Sequence, residues 1–170
     1  MLYVLCGPSY CGKSTYANEL KNYISAHGTN VTIINPDSIR EELLGDVSDQ
    51  SHGDLVFKTA HQRVEEALSN HDIVIFDATN LTLRARKPLI EIAKRYNEMV
   101  IAIVFKDLSM GELVSRYTAR ERKVPLEIVE KQRQKFTLPT RAEGFDRVWK
   151  AEEYIDTVIY SSKFEKFINL

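Results

Sequence analysis

Gly7, Gly12, Lys13 and Ser14 stand in the order Gly-x-x-x-x-Gly-Lys-Ser, a spacing with a specific chemical use. Small residues let the backbone fold around a phosphate so that successive amide hydrogens converge on its oxygens. A helix that starts directly behind them turns the positive end of its dipole toward the same anion. The lysine can then reach the β- and γ-phosphates of a nucleoside triphosphate, and the next hydroxyl can coordinate Mg²⁺. The run Gly7, Pro8, Ser9, Tyr10, Cys11, Gly12, Lys13, Ser14 and Thr15 is therefore the expected binding surface for ATP, or another nucleoside triphosphate, with Mg²⁺. The plainer alternative is a chance match in a strand-to-helix turn. An apolar run before the motif and an amphipathic one after it favour the phosphate loop.

A second acidic element follows in His71-Asp72-Ile73-Val74-Ile75-Phe76-Asp77, an apolar run ending in a carboxylate. At the C-terminal end of a strand Asp77 faces the crevice where α/β sheets bind ligands, and it can hold a magnesium-bound water. Equally, it can simply satisfy donors of the Asp77-Ala78-Thr79-Asn80 turn.

Asp37 and Arg40 lie three residues apart at another strand-to-helix junction. There a carboxylate can accept the proton of an attacking hydroxyl while the arginine holds an acceptor phosphate. The competing structural duty for Asp37, capping the helix, is assigned instead to Ser38, which has Glu41 at capping-box spacing. Late in the chain Arg116, Arg120, Arg122, Lys123, Lys131, Arg133 and Lys135 outnumber Glu121, Glu127 and Glu130. Arg116 and Arg120 fall one helical turn apart, so the spacing predicts one face carrying two phosphate-directed fingers, with Pro125 breaking the helix at a lid tip. A solvated face of ion pairs is the ordinary alternative. Phe57 and His61 share a helix face as well, and can stack on a terminal nucleotide or be a core aromatic with a surface histidine.

These residues need a frame. Short apolar runs at 2–6, 31–35, 73–77, 99–105 and 147–150 alternate with helical periodicity at 13–27, 38–44, 55–70, 85–96, 109–120 and 126–136. That alternation predicts a three-layer α/β domain, a P-loop fold with a mostly parallel five-stranded sheet and an arginine-bearing helical lid at about 114–137. Residues 154–170 have no clear assignment.

With 170 residues, one domain is expected. The formal net charge of −1 argues against a chain built to coat nucleic acid, so any such contact must be local. No apolar run is long enough for a membrane span, and the two cysteines, Cys6 and Cys11, match neither a zinc pair nor a redox motif. A cytoplasmic setting is expected. No Asn-Lys-x-Asp motif is present to read guanine, and the polar cluster followed by a basic lid has the layout of a small kinase.

Together the motifs resemble the 5′-hydroxyl polynucleotide kinase family of nucleic-acid end-repair enzymes, over roughly residues 1 to 150. The likeness rests on the P-loop, on Asp37-Ser38-Ile39-Arg40, on Asp77-Ala78-Thr79-Asn80, on a helix opening with Arg84 and Arg86, and on Arg116-Tyr117-Thr118-Ala119-Arg120. It implies that Lys13 and Ser14 serve ATP-Mg²⁺, that Asp37 activates a 5′-hydroxyl, and that Arg40 contacts the adjoining phosphate. It also implies that one lid arginine, Arg120 with Arg116 as the alternative, clamps the donor. Asp77, Arg86, Phe57 and His61 complete the expected acceptor site, and DNA or RNA 5′ ends are the expected partners. Related kinases of nucleotide-sugars, small molecules and aminoacylated RNA share the Asp-x-x-Arg and Asp-x-Thr-Asn motifs, so the acceptor stays open among these. Family members often carry further repair domains, which leaves this chain as a stand-alone kinase or one domain of a longer parent.

Overall fold

In the computed structural model, which describes residues 1–120 and 123–154, the first strand β1 (Leu2–Cys6) is buried on both faces. Leu2, Val4 and Cys6 enter one core, while Tyr3 and Leu5 enter the other. A strand can be apolar throughout only at the centre of a covered parallel sheet. Its partners β2 (Val31–Ile34), β3 (Ile73–Phe76), β4 (Val100–Val104) and β5 (Arg147–Lys150) complete the order β2-β3-β1-β4-β5, and every neighbouring pair is parallel. All five expected strands are present.

Helix α1 (Lys13–Ser25) covers one face, packing Tyr16, Ala17 and Leu20 on Tyr3, Leu5, Ile75 and Ile103. The other face lies under α3 (Gly53–Ser69) and α4 (Leu83–Arg95), with Ile39 of α2 (Pro36–Leu44) joining them. Past β4 come α5 (Met110–Ala119) and α6 (Leu126–Lys135), which hold a small core of their own around Tyr10, Leu113 and Val129. This pair occupies the expected lid segment. No helix among the described residues is long and apolar enough to cross a membrane.

Two helix boundaries differ in an informative way. The capping box expected at Ser38 and Glu41 is not what starts α2: Asn35 is the N-cap, accepting from the Asp37 and Ser38 amides at 2.8 and 3.1 Å, and Pro36 opens the helix. Proline at the first helical position has its φ already set and lacks a hydrogen that would need a partner, so the start moves upstream. The other expected box does form, between Ser109 and Glu112. At the far end α5 stops at Ala119, leaving Arg120 extended at φ −92° and ψ 137° rather than one turn along the same helix face as Arg116. Arg122 and residues 155–170 lie outside the described residues.

Candidate active site

The P-loop joins β1 to α1, and its geometry is set by close approaches that only small residues permit. A Cβ on Gly7 would sit 3.0 Å from Cys11 Sγ and 3.1 Å from Phe105 Cβ, so the loop closes on itself and on the end of β4. Gly12, at φ +98°, makes the left-handed turn into α1. No side chain among the described residues caps that helix, which leaves its first amides directed at whatever the loop holds. The second strand-end turn braces the first: Gly7 N–H donates to Thr79 O at 2.9 Å, and Asn80 Nδ2 donates to Leu5 O at 2.7 Å.

Lys13 is buried, and its ammonium points back into the loop, donating to Pro8 O at 2.5 Å with Cys11 Sγ 3.4 Å away. Ser14 and Asp77 line one cleft of about 740 Å³, and Asp77 is fixed by Asn35 Nδ2 at 2.8 Å. No cluster of three or more His, Cys, Asp or Glu side chains able to hold a metal exists among the described residues. The donor set fits a magnesium ion that arrives with its phosphates, taking one hydroxyl and a nearby carboxylate from the protein and the remaining ligands from phosphate and water.

Asp37 lies in the first turn of α2, between Asn35 and Ser38 that line the cleft, with its side chain about half exposed, and Arg40 Nη1 donates to Asp37 Oδ1 at 2.5 Å. Arg40 itself is buried, 4% exposed, so its visible work is orienting Asp37. Phe57 and His61 do share a face, but their burial inverts the ordinary expectation. Phe57 is exposed, whereas the half-buried His61 ring lies nearly parallel to Phe76, 6.2 Å between centroids, just before Asp77. Burial holds the His61 pKa below the ordinary imidazole value, keeping the ring neutral and suited to stacking.

Arg86, expected as a substrate contact, has its partners inside the protein. It is wholly buried, and its Nε and Nη2 form a fork on both Glu143 oxygens at 2.8 Å each. The remaining hydrogens go to Asn80 O, Thr137 O and Thr137 Oγ1 at 3.0, 2.9 and 3.2 Å. All five guanidinium donors are thereby used inside the protein, and none is left for a substrate.

Against the loop lie α5 and α6. Arg116 Nη1 donates to Tyr10 O at 2.9 Å and is also the atom nearest to where a Gly12 side chain would begin, at 3.4 Å. Arg120 instead sits 5.3 Å above the Tyr10 ring. Gln132 of α6, which no sequence pattern singles out, accepts from Ser9 N–H at 2.8 Å. Arg133 is taken up by Asp107 at 2.8 Å, so part of the basic run is the ion-paired surface that such runs usually are.

A family model of AAA domains, AAA_33, matches residues 2–139. The chain belongs to the AAA_33 family. Among relatives of this AAA_33 domain, an L-seryl-tRNA(Sec) kinase of Methanococcus maripaludis is 28% identical over 146 residues, covering 86% of this chain and 56% of that protein. A chain of the Pnkp1/Rnl/Hen1 RNA repair complex aligns with TM-score 0.64 and 27% identity, over 79% of this chain and 43% of its own length. The chain thus spans about half the length of those two relatives. Kti12 of Chaetomium thermophilum, solved with ADP-AlF3, shares the fold over 88% of both chains at TM-score 0.67 and 17% identity. These relationships liken the AAA_33 domain to P-loop kinases, a family that implies a bound nucleotide and a metal, typically Mg²⁺.

The two thiols are part of the packing rather than the chemistry. Burial pushes Cys6 up to about 12, and burial raises Cys11 as well, against the opposing pull of the Lys13 ammonium. Both are protonated at neutral pH, so maleimide or disulfide reagents at pH 7 should label the folded protein far more slowly than the urea-unfolded chain. Equal labelling rates in the two states would contradict this.

Proposed function

We propose that the protein is an ATP-dependent kinase that phosphorylates a 5′-hydroxyl at the end of a nucleic acid. The observation that carries this reading is Asp37, a half-exposed carboxylate held by buried Arg40 on α2, the helix that packs against α3 with its exposed Phe57. Asp37 accepts the hydroxyl proton, the alcohol oxygen bonds to the γ-phosphorus, and the bond to the β,γ-bridging oxygen breaks, so that ADP leaves. Lys13 neutralises charge on the β- and γ-phosphates. Ser14 and Asp77 are the residues that would hold Mg²⁺, which would supply charge neutralisation on the donor phosphates. Arg116, whose guanidinium approaches Gly12 and the Tyr10 carbonyl, is the preferred clamp on the transferring group, with Arg120, over the Tyr10 ring, as the alternative. Phe57 and His61 offer aromatic faces to the terminal base, a contact that suits any nucleobase because each has a π-face.

Similarity to a chain of an RNA repair complex supports the end-kinase reading. A second reading, phosphorylation of a hydroxyl carried by an aminoacylated RNA, is favoured by the similarity to the seryl-tRNA(Sec) kinase over most of this chain.

The test is transfer of γ-³²P from ATP to 5′-hydroxyl DNA and RNA oligonucleotides, with seryl-tRNA in parallel. Labelled oligonucleotide ends are expected. Phe57→Ala should raise the KM for oligonucleotide by about tenfold, from the loss of one stacking contact worth roughly 1–3 kcal/mol, and leave the KM for ATP unchanged. Label appearing only in seryl-tRNA would replace the first reading by the second. Label in neither, with ATP bound normally, would overturn both and turn the search to small-molecule acceptors.

A further inference from the structure

We propose that Tyr10 is a positioning residue that latches the lid to the P-loop and thereby sets Arg116 and Arg120 over the transferring phosphate. Tyr10 sits in the middle of a loop that otherwise favours small residues, yet the residue is only 5% exposed. It is enclosed by the lid, in the small core shared with Leu113 and Val129. Its contacts cover both sides of the connection between α5 and α6. The Tyr10 carbonyl receives Arg116 Nη1 at 2.9 Å, the ring lies under the Arg120 guanidinium at 5.3 Å, and the Tyr117 ring meets it edge-on at 6.0 Å and 62°. Beyond that connection the Tyr10 hydroxyl donates to Val124 O at 3.1 Å and accepts from Val124 N–H at 2.7 Å. One P-loop residue therefore holds the backbone at the start of α6 and both candidate phosphate fingers at the end of α5.

The backbone supports the assignment. Tyr10 adopts φ +69°, a left-handed conformation uncommon for a bulky residue and strained unless its surroundings compensate. Glycine would hold that turn without strain but would give the lid nothing to grip. Because Tyr10 belongs to the loop that embraces the donor, a shift of the loop moves the seat of both arginines. The placement of the fingers is thus tied to the shape of the phosphate loop rather than left to the lid alone. Tyr10 itself acts through Arg116 and Arg120, so its removal falls on the transition state, where those charges are needed, more than on nucleotide binding.

The kinetic part of this inference rests on the kinase reading, and the structural part does not, so the test has two arms. Tyr10→Gly removes the latch at a position whose backbone suits glycine, and Tyr10→Phe keeps the ring but deletes the hydroxyl. In the first arm, amide hydrogen exchange at Val124 should accelerate by about tenfold or more in both variants, with the melting transition still cooperative. In the second, Tyr10→Gly should lower kcat for phosphoryl transfer by about 10- to 100-fold while the KM for ATP changes by less than about threefold, and Tyr10→Phe should fall between it and wild type. Unchanged Val124 exchange in both variants, or a loss expressed only in the KM for ATP, would overturn the latch. If the wild-type protein transfers label to no acceptor, the kinase reading fails. The latch is then judged by Val124 exchange and by kcat for ATP hydrolysis, with the same expected directions.

Discussion

Asp37→Asn is expected to lower kcat for phosphoryl transfer by roughly 10²- to 10⁴-fold, the range that a positioned general base contributes, while ATP binds as before. The substitution is nearly isosteric and keeps an oxygen that can accept from Arg40 Nη1, so the local geometry of α2 has little reason to change. What it removes is the capacity to take a proton. Asp37 also sits in the first turn of α2, where a negative charge interacts favourably with the helix dipole by about 0.3–1 kcal/mol. A small drop in melting temperature therefore belongs to the expected result, and the chemistry has to be separated from it. Single-turnover transfer at saturating ATP and acceptor does so, because it reads the chemical step on folded, fully bound protein. A variant that transfers phosphate at the wild-type rate would reduce Asp37 to a helix-terminal acid. It would favour a nucleotide-binding module whose output is not transfer.

The parts of this site that sequence alone reveals are those whose cause is local. The phosphate loop is legible because its function depends on backbone shape over eight consecutive residues, and glycine, lysine and serine each leave a distinct mark there. The five strands are legible because a central parallel strand must be apolar on both faces, as β1 is. The capping of α2 shows the limit of local rules: Ser38 and Glu41 have the right spacing, but Asn35 followed by Pro36 gives an earlier start with two amides already satisfied. Both patterns were present in the sequence, and only their competition decides between them.

Long-range partners account for the rest. Tyr10 looks like a tolerated bulky residue at a variable loop position until Val124, 114 residues away, is seen to bond its hydroxyl. Gln132 carries no signal at all, since a glutamine on a polar helix that also holds Gln134 is unremarkable without the Ser9 amide above it. Spacing marks Arg116 and Arg120 as a pair, but the assumption of continuous helix fails at Ala119, and the two guanidinium groups reach the loop by different routes. Phe57 and His61 show the same effect in burial. Helical spacing puts them on one face, and only the approach of Phe76 decides which of them packs inward.

Arg86 carries the largest stability effect. Its fork on Glu143 and its three further hydrogen bonds tie the start of α4 to Thr137 and to the short 3₁₀ turn Arg141–Glu143. Removing the arginine alone, as in Arg86→Met, leaves the Glu143 carboxylate nearly buried without its counter-charge, which should cost about 3–5 kcal/mol. Lysine should not rescue it. An ammonium on a flexible stem cannot present the planar fork or reach Asn80 O, Thr137 O and both carboxylate oxygens together. Arg86→Met combined with Glu143→Leu should recover part of the loss, because replacing a buried ion pair by apolar groups of similar volume is often neutral or stabilising. Urea unfolding followed by tryptophan fluorescence of Trp149, with an unchanged m-value, measures each step. The same variants decide between the two roles assigned to this residue. A positional role predicts lower stability with kcat/KM per folded molecule close to wild type. An Arg86→Lys protein of full stability that has lost activity would return Arg86 to the acceptor site.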